Sequence, residues 1–144
     1  MIETELEKLR AWEGRRESAS DIVGLTPART LYALLNRDPM TIDNGDDLPP
    51  LFHWLYCLSL PRQSDLDTDG HLKKGGAGLL PPVPFPRRMF AGARIHFDGT
   101  LRIGDQIERT STVKQVIFKE GRRGPLYLVS VEHHIKVKRE GEII

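Results

Sequence analysis

The chain contains a single cysteine, Cys57, so it cannot form an internal disulfide. It also lacks an excess of either charge. With 21 Lys and Arg against 20 Asp and Glu, its net charge is +1, and no overall field draws in nucleic acid or an anionic membrane. Any basic patch has to be local. Long apolar runs are missing as well: the densest, Leu51 to Leu60, is interrupted by His53 and is too short to span a bilayer. The opening residues Met1-Ile2-Glu3-Thr4-Glu5 are acidic and carry no apolar signal core, which points to a cytoplasmic protein. What is present, 144 residues of which 39% are hydrophobic, suits one globular domain with one core, residues 1–144.

Helical signals lie in the first third. Leu6, Leu9 and Trp12 recur at helical spacing among charged residues and predict a short amphipathic helix ending near Gly14. A second helix is predicted with Thr26 as cap, Pro27 at its first position, a stripe of Ala28, Leu31, Leu34 and Leu35, and an end at Asn36 to Pro39. Residues 38–50 have no periodicity and read as a loop. Leu51 to Leu58, rich in aromatics, reads as a buried helix or helical turn. From Pro61 to Pro86 the chain makes an irregular excursion with five prolines and the run Gly75-Gly76-Ala77-Gly78. Loops this long are uncommon in a compact domain and are usually lids, binding loops or linkers.

The last third is strand-like. Ala93, Ile95 and Phe97 alternate with Arg94, His96 and Asp98, the period of a half-buried strand. Leu101 to Asp105 makes a turn into a β-rich run from Gln106 to Lys119, and Gly121-Arg122-Arg123-Gly124-Pro125 makes another. Tyr127, Val129, Val131, His133, Ile135 and Val137 mark the inward face of the next strand, with Ser130, Glu132, Lys136 and Lys138 outward. Glu140-Gly141 reads as a further hairpin turn leading into a strand barely begun at Ile144. Either the natural chain continues past Ile144 or another segment completes the sheet, because an unfinished edge exposes unpaired backbone groups.

Three motifs carry a resemblance: Leu48-Pro49-Pro50-Leu51-Phe52-His53-Trp54-Leu55-Tyr56, Asp69-Gly70-His71, and Leu79-Leu80-Pro81-Pro82-Val83-Pro84-Phe85-Pro86-Arg87-Arg88-Met89-Phe90-Ala91-Gly92. With Arg102-Ile103-Gly104-Asp105 and Gly121 to Leu126, they make the chain similar to the N-terminal hot-dog domain of MaoC-like acyl-CoA hydratases and dehydratases. The mesaconyl-CoA, 3-methylfumaryl-CoA and mitochondrial 3-hydroxyacyl-thioester types are the ones it resembles, from about Trp12 onward. The resemblance implies an α+β hot-dog fold, a curled antiparallel sheet wrapped around a central helix. It also implies a hydro-lyase acting on an enoyl thioester, built from two hot-dog domains. In that group the acid/base pair is an Asp and a His within an Asp-x-Asn-Pro-aliphatic-His segment, usually in the other half. No such segment occurs here, so the catalytic residues of this chain stay unassigned.

Hydrating an enoyl thioester needs a base for water, an acid for the α-carbon and donors for the enolate-like oxygen. His53 lies between large apolar neighbours, where burial favours the neutral imidazole suited to acid/base work, although a hydrogen-bonded structural histidine fits the same pattern. With Trp54 it is a substrate-binding candidate. Arg87 and Arg88 are candidates for gripping CoA phosphates with their guanidinium forks, against the reading of an ordinary surface pair. Gly75 and Gly76 would allow a ligand close to the backbone or simply give a flexible lid; the missing Lys-Ser or Lys-Thr excludes a P-loop. His96 and Asp98 read as residues of an ordinary solvated strand, and their likeness to a catalytic stretch is taken as accidental.

No metal or cofactor is expected. Asp65, Asp67, Asp69 and Gly70 mimic the start of a calcium loop, but Gly76 stands where its bidentate Glu belongs. His133-His134 point to opposite faces of a strand and make a poor metal pair. The expected function is therefore the substrate-framing half of an acyl-CoA hydratase or dehydratase, with acid/base residues in a second hot-dog domain or partner. The alternative is a non-catalytic module that binds an acyl thioester, on CoA or a carrier protein, or assembles as a hot-dog homodimer. Neither reading involves nucleic acid or a membrane.

Overall fold

The computed structural model describes residues 2–74, 78–122, 124–139 and 142–143. Gly75, Gly76, Arg123, the Glu140-Gly141 turn and Ile144, on which some expectations rest, lie outside them. Helix α1 covers Ile2–Arg10, with Glu3 and Glu5 in its first turn and Lys8 and Arg10 in its last, each sign at the end of the helix dipole that favours it. It unwinds into a turn at Gly14, whose φ of +85 is the left-handed conformation that glycine adopts without strain. Strand β1, Arg16–Ile22, follows. Alternation did not reveal it because Arg16-Glu17-Ser18-Ala19-Ser20-Asp21-Ile22 has almost nothing apolar to alternate, and only Ala19 is even half-buried.

Helix α2 is Leu25–Leu34, capped by Gly24 and not by Thr26 as the sequence suggested. Val23 donates to the Asp105 carbonyl and its own carbonyl accepts from Gly104, so the chain leaves the sheet just before Leu25 and the helix starts at once. Pro27 still falls in the first turn, where a missing N–H costs nothing. The buried face is also rotated from the expected stripe: Ala28 and Tyr32 are buried while Leu34 and Leu35 are exposed. Asn36, at φ +57, ends the helix in the left-handed region its short amide tolerates.

Strands β2, Gln106–Gly121, and β3, Gly124–Arg139, are long; β4 is Glu142–Ile143. The sheet order is β1-β2-β3-β4, with β4 antiparallel to β3 through Lys138↔Ile143 and Arg139↔Glu142. The strand expected at residues 93–98 is not present as a strand, and 91–97 carry no ladder among the described residues. Of the two readings of Leu51–Leu58, the helical turn is the one found: a short 3-10 turn, Phe52–Leu55, from which Trp54 projects into solvent.

The chain divides into two compact units. One comprises Met1–Glu17, Leu60–Gly92 and Thr110–His134; the other comprises Ser18–Ser59, Ala93–Arg109 and Ile135–Ile144. In the first, Leu9, Leu79, Val113 and Val116 form a core against which Leu6, Val83, Tyr127, Val129 and Val131 pack. Leu79 and Val83 tether the proline-rich excursion to this core, and Phe85 stacks on Tyr127 at 5.3 Å. Beyond the point where Arg15 pairs with Val113, β2 meets side chains instead of β1: the Val116 N–H donates to Glu13 Oε1 at 2.8 Å and its carbonyl accepts from Arg10 Nε at 3.5 Å. In the second unit, Ala28 and Tyr32 of α2 pack with Val23, Phe52, Ile107 and Val137, so the helix sits on the inner face of its part of the sheet.

Candidate functional site

The second unit places His53 and Trp54 by a locally strained turn. Leu51, at φ +72, and Cys57, at φ +54, both adopt the left-handed region that costs a residue with a Cβ of order 1 kcal/mol. The strain is held by specific bonds. The Cys57 N–H donates to Asp21 Oδ2 at 2.7 Å, the Tyr56 hydroxyl donates to the Gly24 carbonyl at 2.6 Å, and Phe52 packs edge-on against Tyr32 at 5.7 Å. Burial, with the Asp21 charge adding to it, pushes the Tyr56 phenol up to about 12, so it stays a hydrogen-bond donor. With Phe52, Tyr56 and Cys57 buried, His53 and Trp54 are turned toward the surface.

His53 is half-buried, and desolvation holds its imidazole below the usual histidine range, so the ring is neutral at pH 7. Its ring lies edge-on to Trp54 at 5.8 Å and to Phe97 at 6.0 Å. Trp54 and Phe97 are 58% and 55% exposed, so the three rings make an open apolar patch around one polar nitrogen-bearing ring. Phe97 was visible in the sequence only as an alternating strand residue; nothing there placed it beside His53. Two recesses of this unit lie elsewhere. One, of about 530 Å³, is lined by Tyr32, Thr41, Ile42, Asp46, Asp47 and Arg102, and the other, of about 300 Å³, by Ser20, Asp21, Ile22, Gln106, Ile107 and Lys138.

The first unit holds the arginine pair. Lys74 Nζ bonds the Phe85 carbonyl, Lys73 Nζ donates to the Ser64 carbonyl at 2.8 Å, and the Phe85 ring rests on Tyr127, so the excursion is fixed just before Arg87 and Arg88. Arg87 is exposed and Arg88 half-exposed. Asp69 sits below its ordinary pKa chiefly because it accepts the His71 N–H, with the Arg88 charge a smaller contribution. His71 Nδ1 approaches Asp69 Oδ2 at 3.3 Å, an exposed pair in a turn well solvated by water. Also in this unit, the Ser111 hydroxyl, fully buried, meets His133 Nδ1 at 2.8 Å, a cross-strand bond between residues 22 apart. His134 instead meets Glu132, which also pairs with Lys114, as strand alternation requires. Among the described residues no group of His, Cys, Asp and Glu is arranged to hold a metal ion, and no helix is long and apolar enough to cross a membrane.

An antiparallel sheet with a helix packed against Ile107 and Val137 of its strands is the arrangement expected of a hot-dog domain. The sequence profile of the family described as hydroxyacyl-thioester dehydratase type 2 matches residues 51–143, and the chain belongs to that family, with its MaoC-like hot-dog fold. A relative is the mesaconyl-C(4)-CoA hydratase of Chloroflexus aurantiacus, 43% identical over 125 residues, which are 87% of this chain and 44% of that protein. The chain thus spans less than half the length of this relative.

Proposed function

We propose that this chain is the substrate-framing half of an acyl-CoA hydratase or dehydratase, and that a second hot-dog domain or partner supplies the acid and base. The observation that carries the reading is the neutral, half-buried His53 set between Trp54 and Phe97. A neutral imidazole beside apolar rings suits an acyl thioester, which is uncharged at the reacting carbons and needs hydrogen bonding without a competing cation. Arg87 and Arg88 would meet the phosphates of CoA, and Gly75 and Gly76 would let the ligand approach the backbone. The His–carboxylate contacts of His71 with Asp69 and of His134 with Glu132 are solvent-exposed, which favours a framing role over complete catalysis.

The test is titration of the chain with a non-reacting enoyl-CoA analogue, followed by intrinsic fluorescence, beside a hydration assay. Binding is expected, weakened about tenfold by His53→Ala and by Arg87→Ala with Arg88→Ala, each equivalent to the loss of roughly 1.4 kcal/mol. The chain alone is expected to show little hydration. Efficient hydration by the isolated chain, abolished by His53→Ala, would overturn the framing role.

A further inference from the structure

We propose that Asn44 is a site of spontaneous modification, deamidating through a cyclic imide formed with the Gly45 nitrogen, and that a short backbone ladder in the second unit gates the reaction. Of the chain's two asparagines, Asn36 precedes Arg37, whose side chain crowds the amide between them, whereas Asn44 precedes Gly45. Glycine has no Cβ to hinder an approach to its nitrogen. Asn44 and Gly45 are both exposed, so solvent reaches them. The bonds balance without an oxidant or reductant. The Gly45 nitrogen bonds to Asn44 Cγ, the Cγ–Nδ2 bond breaks, and Nδ2 leaves as ammonia with the proton that Gly45 gives up. Water then reopens the ring. Addition at Cγ breaks the new bond and leaves aspartate; addition at the main-chain carbonyl breaks the original peptide bond and leaves isoaspartate, with the backbone rerouted through Cβ and Cγ.

The fold holds the nucleophile elsewhere. The Gly45 N–H donates to the Ile103 carbonyl at 2.9 Å, the Ile103 N–H to the Asp46 carbonyl at 2.9 Å, and the Leu48 N–H to the Leu101 carbonyl at 2.7 Å. Asn44 and Gly45 are the central pair of a turn closed by the Asp46 N–H on the Asp43 carbonyl at 3.1 Å, with Gly45 at φ +85, as the third residue of a type II turn requires. The Asn44 N–H is tied as well, donating to Asp43 Oδ1 at 2.8 Å. Attack needs the Asn44–Gly45 peptide to rotate and the Gly45 N–H to leave Ile103, so the ladder has to open first. Local opening of an exposed turn costs far less than global unfolding. The outcome is one-way. Isoaspartate lengthens the main chain by one methylene at the turn, so the three ladder bonds cannot all keep their register. The recess of about 530 Å³ bordered by Gly45, Asp46, Asp47 and Arg102, and the ion pair of Arg102 Nε with Asp47 Oδ1 at 3.3 Å, depend on that register.

The experiment incubates the folded chain, and the same chain unfolded in urea, at neutral pH and follows both by tryptic peptide mapping with mass spectrometry. Cleavage after Arg37 puts the two asparagines on separate peptides. A protein isoaspartate methyltransferase with labelled S-adenosylmethionine counts the isoaspartate, and hydrogen exchange at the Gly45 amide reports the gate. The amide-to-acid mass gain is expected on the Asn44 peptide and not on the Asn36 peptide, and is expected to vanish in Asn44→Gln. In the folded chain it should be slower by at least about tenfold, by the same factor as folding protects the Gly45 amide from exchange. Folded protein purified with isoaspartate at position 44 should melt several degrees below the unmodified chain, whereas Asn44→Asp, which keeps the normal linkage, should melt close to it. Modification that is absent from the unfolded chain, or equally fast at Asn36, removes Asn44 as the site. A folded-chain rate that does not follow exchange at the Gly45 amide removes the gate, and isoaspartate protein that melts with the unmodified chain removes the effect on the ladder. Any of these overturns the proposal.

Discussion

Asp105 shows how one carboxylate joins several parts of the second unit. Burial alone would raise its pKa, but bonds from Arg139 Nε at 2.9 Å, Arg139 NH2 at 2.7 Å and the Arg102 N–H at 2.7 Å, together with both arginine charges, bring it below the ordinary value. Arg139 also donates to the Thr100 carbonyl, so the ion pair fixes the turn that leads into β2. Because the folded pKa is depressed, the carboxylate contributes stability at pH above its unfolded value near 4, and that contribution fades as pH falls through the folded value. Asp105→Asn is expected to lower the unfolding free energy by about 2 kcal/mol at pH 7, from the loss of charge-assisted bonds. In urea titrations the gap between the two proteins should close as the pH drops below about 4. At this scale the sequence showed residue types but not partners. His53 was recognisable from its apolar neighbours, whereas Phe97 beside it, Ser111 beneath His133 and Asp21 beneath Cys57 are brought in from 22 to 44 positions away, and no local pattern records that.

Among the elements, β2 and β3 were legible because their alternation is long, with Val129, Val131, Ile135 and Val137 on one face. β1 was not, since its place is fixed by backbone pairing and not by apolar side chains. The start of α2 was misplaced for a related reason: the backbone bonds of Val23, one residue past β1, decide where the helix can begin, and the Thr-Pro signal three residues on is overridden. The end of β2 depends on a glycine. A Cβ on Gly121 would lie 2.9 Å from Leu126 Cδ2 and 3.1 Å from the Gly124 carbonyl oxygen. Gly121→Ala is therefore expected to destabilise the protein by about 1–3 kcal/mol, the range for overpacking, because the carbonyl cannot swing aside as a side chain can. Thermal melting followed by circular dichroism would register it.

For the whole molecule, the described residues form two buried apolar clusters, one around Val113 and Val116 and one around Ile107 and Val137. The same two strands furnish residues to both, so neither core can be dismantled while those strands keep their full length. Val113→Ala and Ile107→Ala are accordingly expected to lower the midpoint of one shared unfolding transition, by several degrees each. Calorimetry showing two separable transitions, each sensitive to only one of the substitutions, would mean that the cores melt independently. The hot-dog family was legible from motif order, since the proline-rich segment and the Arg102-Ile103-Gly104-Asp105 turn are local signatures.

Glu13 and Arg10 act further along β2, at Val116. Their side chains occupy the Val116 amide and carbonyl, where a continuing β1 would otherwise bond. A side-chain stopper limits the sheet without lengthening it, and it denies that stretch to a stray peptide seeking a template for fibrous growth. Because both residues belong to the first helix and its trailing turn, the docking of a nine-residue amphipathic segment guards the sheet against runaway polymerisation.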